Sequence, residues 1–154
     1  MNKEIQPEAT LIGLSLQRKT TNKNNQSAKD CGMLWQQFET GNYFDKIPNK
    51  LTGEILAVYH DYEGDHTQPY SYFIGCKVAS GTQVPEGLDS LQMPGGLYTK
   101  IVAHGKMPDC VGDAWRTIWN THHPRAYKPD FEVYDERCAD WNNAEVDIYL
   151  SITE

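Results

Sequence analysis

Residues 27–40 (SAKDCGMLWQQFET) and 108–121 (PDCVGDAWRTIWNT) carry the same apolar pattern at a constant offset of 80 positions. In each segment, apolar residues occupy positions i, i+3, i+4 and i+7, which is the spacing of one face of an α-helix. The offset places Trp35 on Trp115. The stripes consist of Cys31, Leu34, Trp35 and Phe38 in the first segment, and of Val111, Ala114, Trp115 and Ile118 in the second. The pattern therefore predicts two helices that belong to two copies of one unit.

Strand-like segments flank both predicted helices in the same order. One run rich in Val, Ile, Tyr and Phe precedes each helix, and two such runs with alternating pattern follow it. These runs are 9–16, 54–60 and 70–78 in the first half, and 97–103, 130–135 and 146–152 in the second. The order predicts an α+β fold of two pseudo-symmetric βαββ halves, 3–80 and 90–153, in a mostly antiparallel sheet with two helices. Residues 79–96 are predicted to connect the halves.

Length and composition limit the class of protein. A chain of 154 residues with a net charge of −7 suits one domain, 1–154, and lacks the clustered basic surface of a nucleic-acid-binding protein. No apolar run is long enough to cross a membrane, and no secretory signal is present, so a cytoplasmic location is expected. The four cysteines form no paired metal motif. We therefore expect no metal and no cofactor.

Comparison of the halves singles out one carboxylate. When the two strands that follow the helices are superposed, Ala57 of the first half aligns with Glu132 of the second, between Phe131 and Val133. A buried carboxylate without a partner costs several kcal/mol, so a side chain in this position requires an explanation. One interpretation is that it faces solvent or pairs with a cation from its own chain. The candidate cations are Arg116, Arg125 and Lys100. The other interpretation is a buried anion that awaits a cationic or hydrogen-bond-donating ligand.

Aromatic side chains surround this position in the predicted fold. Four lie on the helical stripes, namely Trp35, Phe38, Trp115 and Trp119. Five tyrosines lie on the strands, namely Tyr59, Tyr70, Tyr72, Tyr134 and Tyr149. Buried tyrosines need partners for their hydroxyls, so a cluster of them indicates a partly polar pocket. Rings around an anion suit a flat or amphipathic cation, because each well-placed ring contributes ~0.5–2 kcal/mol of cation–π attraction.

The residues at 57–78 and 93–120, followed by DFEVYD and VDIYLSI near the C-terminus, resemble the effector-binding domain of AraC-type transcription activators. This domain is also known as the gyrase-inhibitor-like small-molecule-binding domain. The resemblance implies two βαββ halves with a ligand cleft between them. It also implies that Glu132 is the central pocket residue for cationic, often drug-like, ligands. The aromatics implied to line the pocket are Trp115, Trp119, Tyr72, Tyr59 and Tyr149, while Trp35 and Phe38 match the family in pattern alone.

The chain is similar to the stand-alone members of this family, including those on mobile gene cassettes. In the regulators, the effector-binding domain is joined to a helix-turn-helix DNA-binding part. No such basic helix can be placed in this sequence, so we expect no direct nucleic-acid contact. The expected partner is a hydrophobic cationic small molecule, and the chain is expected to be a monomer or a homodimer.

Three functions are consistent with the sequence. The first, which the residues favour, is non-catalytic binding of amphipathic cations by a sequestering or sensing protein. The second is hydrolysis of cyclopropane-containing toxic compounds, with Glu132 as general base assisted by Tyr149 or Tyr72. The third is a protein-interaction module that acts on DNA gyrase or on a transcription regulator.

Overall fold

The structure is a computed structural model that describes residues 2–121 and 123–153. It contains eight strands and three α-helices. The strands are β1 (Asn2–Gln6), β2 (Ala9–Ser15), β3 (Ile55–His60), β4 (Ser71–Val78), β5 (Asp89–Met93), β6 (Gly96–Gly105), β7 (Asp130–Tyr134) and β8 (Ala144–Ser151). The helices are α1 (Gln26–Thr40), α2 (Tyr43–Lys46) and α3 (Asp109–Trp119). No helix in these ranges is both long and apolar enough to cross a membrane.

The predicted α+β class and the βαββ repeat are confirmed. The first half consists of β2, α1, β3 and β4, and the second consists of β6, α3, β7 and β8. All pairings between these strands are antiparallel, and the sheet order is β1-β6-β8-β7-β3-β4-β2-β5. The helices form where the apolar stripes predict them, because each stripe is buried against its own half of the sheet.

The two halves meet along the central strand pair, β3 and β7. In this pair Ala57 lies directly opposite Glu132, so the two positions that the repeat aligns are also cross-strand neighbours. Tyr59 and Tyr134, which occupy equivalent positions two residues further along, flank this pair on the same face. An approximate twofold axis therefore passes through the Ala57–Glu132 pair, and the main departure from symmetry there is a single carboxylate.

Two strands are absent from the sequence prediction. β1 has no predicted counterpart, and β5 lies within the segment that was expected to be a simple connection. Each of them joins the opposite half, because β1 pairs with β6 and β5 pairs with β2. Pro7 separates β1 from β2, and Pro94 separates β5 from β6. The pairing register is the same on both sides of these prolines, from the Gln6–Gly96 pair to the Ala9–Met93 pair. The exchange of strands ties the halves together and curls the sheet.

The curled sheet is buried on both faces. The helices cover one face with two clusters, one in each half, and Tyr59 and Tyr134 contact both clusters. A third cluster lies on the opposite face and includes Phe73, Tyr98 and Phe131. No helix in the described ranges contributes a residue to this third cluster, so its burial depends on the curvature of the sheet and on the exchanged strands.

Close contact between β2 and β4 depends on glycine. Gly13 pairs with Gly75, and a Cβ atom on Gly13 would overlap the carbonyl oxygen of Ile74. Gly13→Ala is expected to lower the free energy of unfolding by about 2 kcal/mol or more, because the backbone itself must move. Gly96→Ala, in β6 with open space around the new methyl group, is the matched control and is expected to leave stability nearly unchanged. Urea unfolding of both variants measures the difference, and equal stabilities would contradict this account of the strand contact.

Candidate functional site

Glu132 is a buried carboxylate with three hydrogen-bond donors. Its side chain lies on the helix-covered face of β7, and the residue is 1% exposed. Oε2 accepts hydrogen bonds from the Tyr59 hydroxyl at 2.7 Å and from the Trp115 indole Nε1 at 2.6 Å. Oε1 accepts one from the Tyr134 hydroxyl at 2.6 Å. All three donors are neutral.

The three candidate cations pair with other carboxylates. Arg116 pairs with Asp113, Arg125 with Asp130 and Lys100 with Asp147. In the described part of the chain no ion pair includes Glu132, and the side chain does not face solvent. The structure thus rejects both parts of the first interpretation of this residue. It shows a buried anion whose charge is stabilised by hydrogen bonds alone.

The electrostatics of the site make the charged form of Glu132 less favourable than that of an exposed carboxyl group. Burial raises the pKa of Glu132 above its usual value of 4.5, and the three hydrogen bonds oppose this rise without cancelling it. Burial and the neighbouring carboxylate raise the pKa values of Tyr59 and Tyr134 well above 10.0. Both tyrosines therefore remain protonated donors at neutral pH.

The aromatic rings around Glu132 form a continuous cluster. Tyr59 contacts Trp115 and Tyr72, with ring centroids 5.0 Å apart in both cases. On the other side, the rings of Trp35 and Tyr134 lie 4.9 Å apart. The Trp35 indole also donates to the Tyr72 hydroxyl at 2.8 Å. We call these five residues the ring cluster; they join α1, α3 and both halves of the sheet above the carboxylate.

Two clefts open on either side of the ring cluster. The first has a volume of about 280 Å³, and Tyr59 and Trp115 of the ring cluster are part of its wall. The second has a volume of about 600 Å³, and its wall includes Trp35 and Tyr134. Glu132 lines neither cleft in this structure. The residues that donate hydrogen bonds to Glu132 form part of both walls, Tyr59 and Trp115 in the first cleft and Tyr134 in the second.

Most of the predicted site residues come together. Trp115 and Tyr59 donate to Glu132, Trp35 and Tyr72 belong to the ring cluster, and Trp119 lines the first cleft. The ring of Trp119 stacks on His66 at 5.5 Å. The structure therefore places five of the predicted aromatics around one carboxylate or its adjoining cleft.

Two predicted site residues lie elsewhere. Tyr149 is on the opposite face of the sheet, where it pairs with Phe131 and its ring stacks on that residue at 4.7 Å. Because Phe131 precedes Glu132 in the strand, their side chains point to opposite faces, and Tyr149 cannot assist the carboxylate. Phe38 is 2% exposed and packs in the core of the first half, against Trp35 and Tyr43.

Tyr134 and Arg125 are site residues that the sequence prediction omitted from the pocket. The signal for Tyr134 was present, since the alignment of Ala57 with Glu132 also aligns Tyr59 with Tyr134. Arg125 precedes β7 in an irregular segment and lines the first cleft, next to Trp115. No periodicity marks such a residue, so only the fold reveals it.

The arrangement can hold one positive charge in an apolar surrounding. Glu132 and the ring cluster supply a carboxylate, three hydroxyls and two indole groups, and among the described residues no basic side chain forms an ion pair with Glu132. In the described ranges, no three His, Cys, Asp or Glu side chains lie together as a metal site requires. A pocket of this kind between two pseudo-symmetric βαββ halves is typical of a small-molecule effector-binding domain.

The family comparison agrees with the fold and the site. Residues 4–152 match the model of the integron-associated effector binding protein family, Cass2, and the chain belongs to this family. The resemblance to effector-binding domains of regulators that the sequence suggested is thereby confirmed. A solved integron cassette protein from the mobile metagenome of Vibrio cholerae is 26% identical, with a TM-score of 0.75, and the match covers 99% of this chain and 95% of that one.

Other similar proteins include a ligand complex and a transcriptional regulator. The structure of SAV2435 bound to tetraphenylphosphonium has a TM-score of 0.79 at 16% identity, covering 99% of this chain and 93% of that one; this likeness shows the fold. The Bacillus subtilis protein YobU is 28% identical over 64% of this chain. The transcriptional regulator BrlR of Pseudomonas aeruginosa is 27% identical over 71%. The matches span 63% of YobU and 49% of BrlR.

The raised pKa of Glu132 has a measurable effect on stability. A carboxyl group whose pKa is higher in the folded state stabilises that state at low pH, and the contribution is lost as pH rises through the folded pKa. Relative to Glu132→Gln, which has no charge to bury, wild-type protein is therefore expected to lose stability as pH rises from about 4.5.

Urea unfolding of wild type and Glu132→Gln between pH 4 and pH 8 measures this difference. Tyr134→Phe is a useful third variant, because loss of one donor raises the pKa of Glu132 further and extends the loss of stability to higher pH. A stability difference that is independent of pH would contradict the raised pKa.

Proposed function

We propose that this protein binds amphipathic organic cations at Glu132, as a sequestering or sensing protein. The observation that carries the proposal is a fully buried carboxylate whose hydrogen-bond partners are all neutral. In the empty protein the charged form of Glu132 is disfavoured by burial. A cation that enters the site provides the missing opposite charge, and the ionised carboxylate then becomes favourable.

The ring cluster determines which cations fit. A strongly hydrated ammonium ion would lose its water without enough hydrogen bonds in return, whereas a delocalised or aryl-substituted cation loses little hydration. Its apolar parts can contact the faces of Tyr59, Trp115 and Trp35, each contributing ~0.5–2 kcal/mol of cation–π attraction. Since the rings cover Glu132 in this structure, binding requires them to part, and the two clefts provide space for the displaced rings or for the ligand itself.

The relatives support the same class of ligand. SAV2435, which shares the fold, has been solved with tetraphenylphosphonium, a bulky aromatic cation. BrlR is a transcriptional regulator, which fits a role for the domain in sensing such compounds. For the present chain we propose that cation binding is either its complete function or the input to a separate regulator. No described feature specifically favours hydrolysis or gyrase binding.

Two ions of the same shape provide the central binding test. Tetraphenylphosphonium and tetraphenylborate differ in the sign of their charge, so their size and apolar surface are matched. Wild-type protein is expected to bind the phosphonium and to discriminate strongly against the borate. Glu132→Gln is expected to weaken phosphonium binding at least roughly tenfold, because the buried countercharge is lost. Isothermal titration calorimetry measures these affinities.

Glu86→Gln is the matched control for that substitution. Glu86 is an exposed carboxylate that lines neither cleft, and its removal changes the net charge by the same amount. It is expected to leave the affinity nearly unchanged, since exposed charges are screened by water and salt. Equal losses in both variants would show that general surface charge, and not Glu132, attracts the cation.

Binding is also expected to depend on pH through Glu132. Because burial raises the pKa of this group in the empty protein, protonation removes the binding charge as pH falls through that raised pKa. The affinity of wild type for tetraphenylphosphonium should therefore decrease on acidification, while the residual affinity of Glu132→Gln should remain flat. Titrations of both proteins across the same pH range test this, and parallel pH profiles would contradict the role of the carboxylate.

A further inference from the structure

Arg125 has two buried nitrogen donors, Nε and Nη1, that no acceptor satisfies in the described part of the chain. Its side chain is 6% exposed and lines the first cleft. Nη2 donates to Asp130 Oδ2 at 2.7 Å, but Nε and Nη1 are buried without a hydrogen-bond partner. A buried donor without an acceptor costs about 1–3 kcal/mol, and more when the group is charged. Such groups are seldom retained in a native protein unless something else satisfies them.

The guanidinium group is held firmly in this position. Asp130, which is fully buried, also accepts hydrogen bonds from the Tyr62 hydroxyl at 2.6 Å and from the Ser151 backbone amide at 2.7 Å. The ring of Tyr127 lies against the guanidinium carbon at 4.3 Å, on a stacking surface that suits arginine. Arg125 thus cannot reorient without breaking a buried ion pair, and its free donors stay beside the cleft.

Trp115 links Arg125 to the proposed cation site. Its indole Nε1 donates to Glu132 at 2.6 Å, while its ring centroid is 5.8 Å from the guanidinium carbon of Arg125. One side chain therefore separates the carboxylate from the unsatisfied donors. A ligand of drug-like size that contacts Trp115 can reach both groups.

We propose that Arg125 forms a second polar subsite, which donates a hydrogen bond to a neutral acceptor oxygen of the bound ligand. The acceptor is a carbonyl of an ester, amide or ketone. This proposal rests on the proposed function, because it assigns the cation to Glu132 and the acceptor oxygen to Arg125 on the same ligand. Under this proposal the preferred ligands are those aromatic cations that also carry a carbonyl group close to the positive charge.

Charge balance favours a neutral acceptor over a carboxylate. The charges of Arg125 and Asp130 already cancel in their buried ion pair. A ligand carboxylate would add a negative charge beside Asp130 and near Glu132, with a cost of desolvation and of repulsion. A carbonyl oxygen accepts an N–H of Nη1 or of Nε without adding charge; these two atoms lie on different edges of the guanidinium, so one oxygen takes a hydrogen bond from one of them.

Three dyes with one cationic core test the proposal. Tetramethylrosamine has no acceptor on its pendant phenyl ring, tetramethylrhodamine methyl ester has a neutral ester there, and tetramethylrhodamine has a carboxylate. Fluorescence anisotropy with each dye gives its dissociation constant. Wild-type protein is expected to bind the ester roughly tenfold more tightly than the rosamine, which corresponds to one good hydrogen bond to a charged donor. The carboxylate is expected to bind more weakly than the ester.

Two variants assign the ester preference to Arg125. Arg125→Lys retains the positive charge beside Asp130 but has no Nε or Nη1 donor. Arg125→Met combined with Asp130→Asn removes both charges of the pair together, so no uncompensated charge remains buried. In either variant the ester is expected to bind no more than about twofold better than the rosamine. Arg18→Lys, at an exposed arginine outside both clefts, is the matched control and should retain the full preference.

The outcomes separate this proposal from the proposed function. If wild type binds the rosamine and the ester equally, or if Arg125→Lys retains the ester preference, the Arg125 subsite is wrong while cation binding stands. A carboxylate dye that binds most tightly would also overturn it, because the subsite would then be anionic. If none of the three dyes binds wild type, the cation site itself is contradicted.

Discussion

The burial of one carboxylate among neutral donors is the constraint on which the functional site depends. Among the described residues Glu132 has no cationic partner, so Tyr59, Tyr134 and Trp115 must all keep their donors directed at it. These donors come from β3, β7 and α3. Because β3 belongs to one half and β7 and α3 belong to the other, the two halves must pack in their native arrangement for all three hydrogen bonds to stabilise the carboxylate. In the proposed function, the residual cost of the buried charge favours the binding of a cation.

Internal symmetry explains how such a site arises. Ala57 and Glu132 are equivalent positions of the repeat and face each other across the central strand pair, where the small Ala57 leaves space for the longer side chain. The equivalent tyrosines then approach the carboxylate from both sides. A single substitution-like difference between the halves, Glu132 in place of Ala57, thus puts one carboxyl group into an otherwise symmetric aromatic core. The strands β1 and β5, each paired with a strand of the opposite half, connect the two halves.

Sequence periodicity predicted those features that depend on local pattern and on burial. The apolar stripes and the alternation along the strands predicted α1, α3 and the six strands of the repeat. Comparison of the two halves then singled out Glu132. The strands β1 and β5 were missed because their residues have little intrinsic strand preference, and their pairing partners lie in the distant half. Tyr149 was misplaced because alternation along a strand defines relative faces and not which face meets the helices. Arg125 belongs to an irregular segment, so only tertiary packing brings it to the cleft.

The proposed cation site depends most directly on the protonation of Glu132 in the empty and in the occupied protein. Carbon-13 NMR of the labelled side-chain carboxyl group, recorded through a pH titration with and without tetraphenylphosphonium, measures its pKa in both states. We expect the pKa to lie above 4.5 in the empty protein and to fall when the cation binds. A pKa at or below 4.5 that the cation leaves unchanged would contradict the central claim.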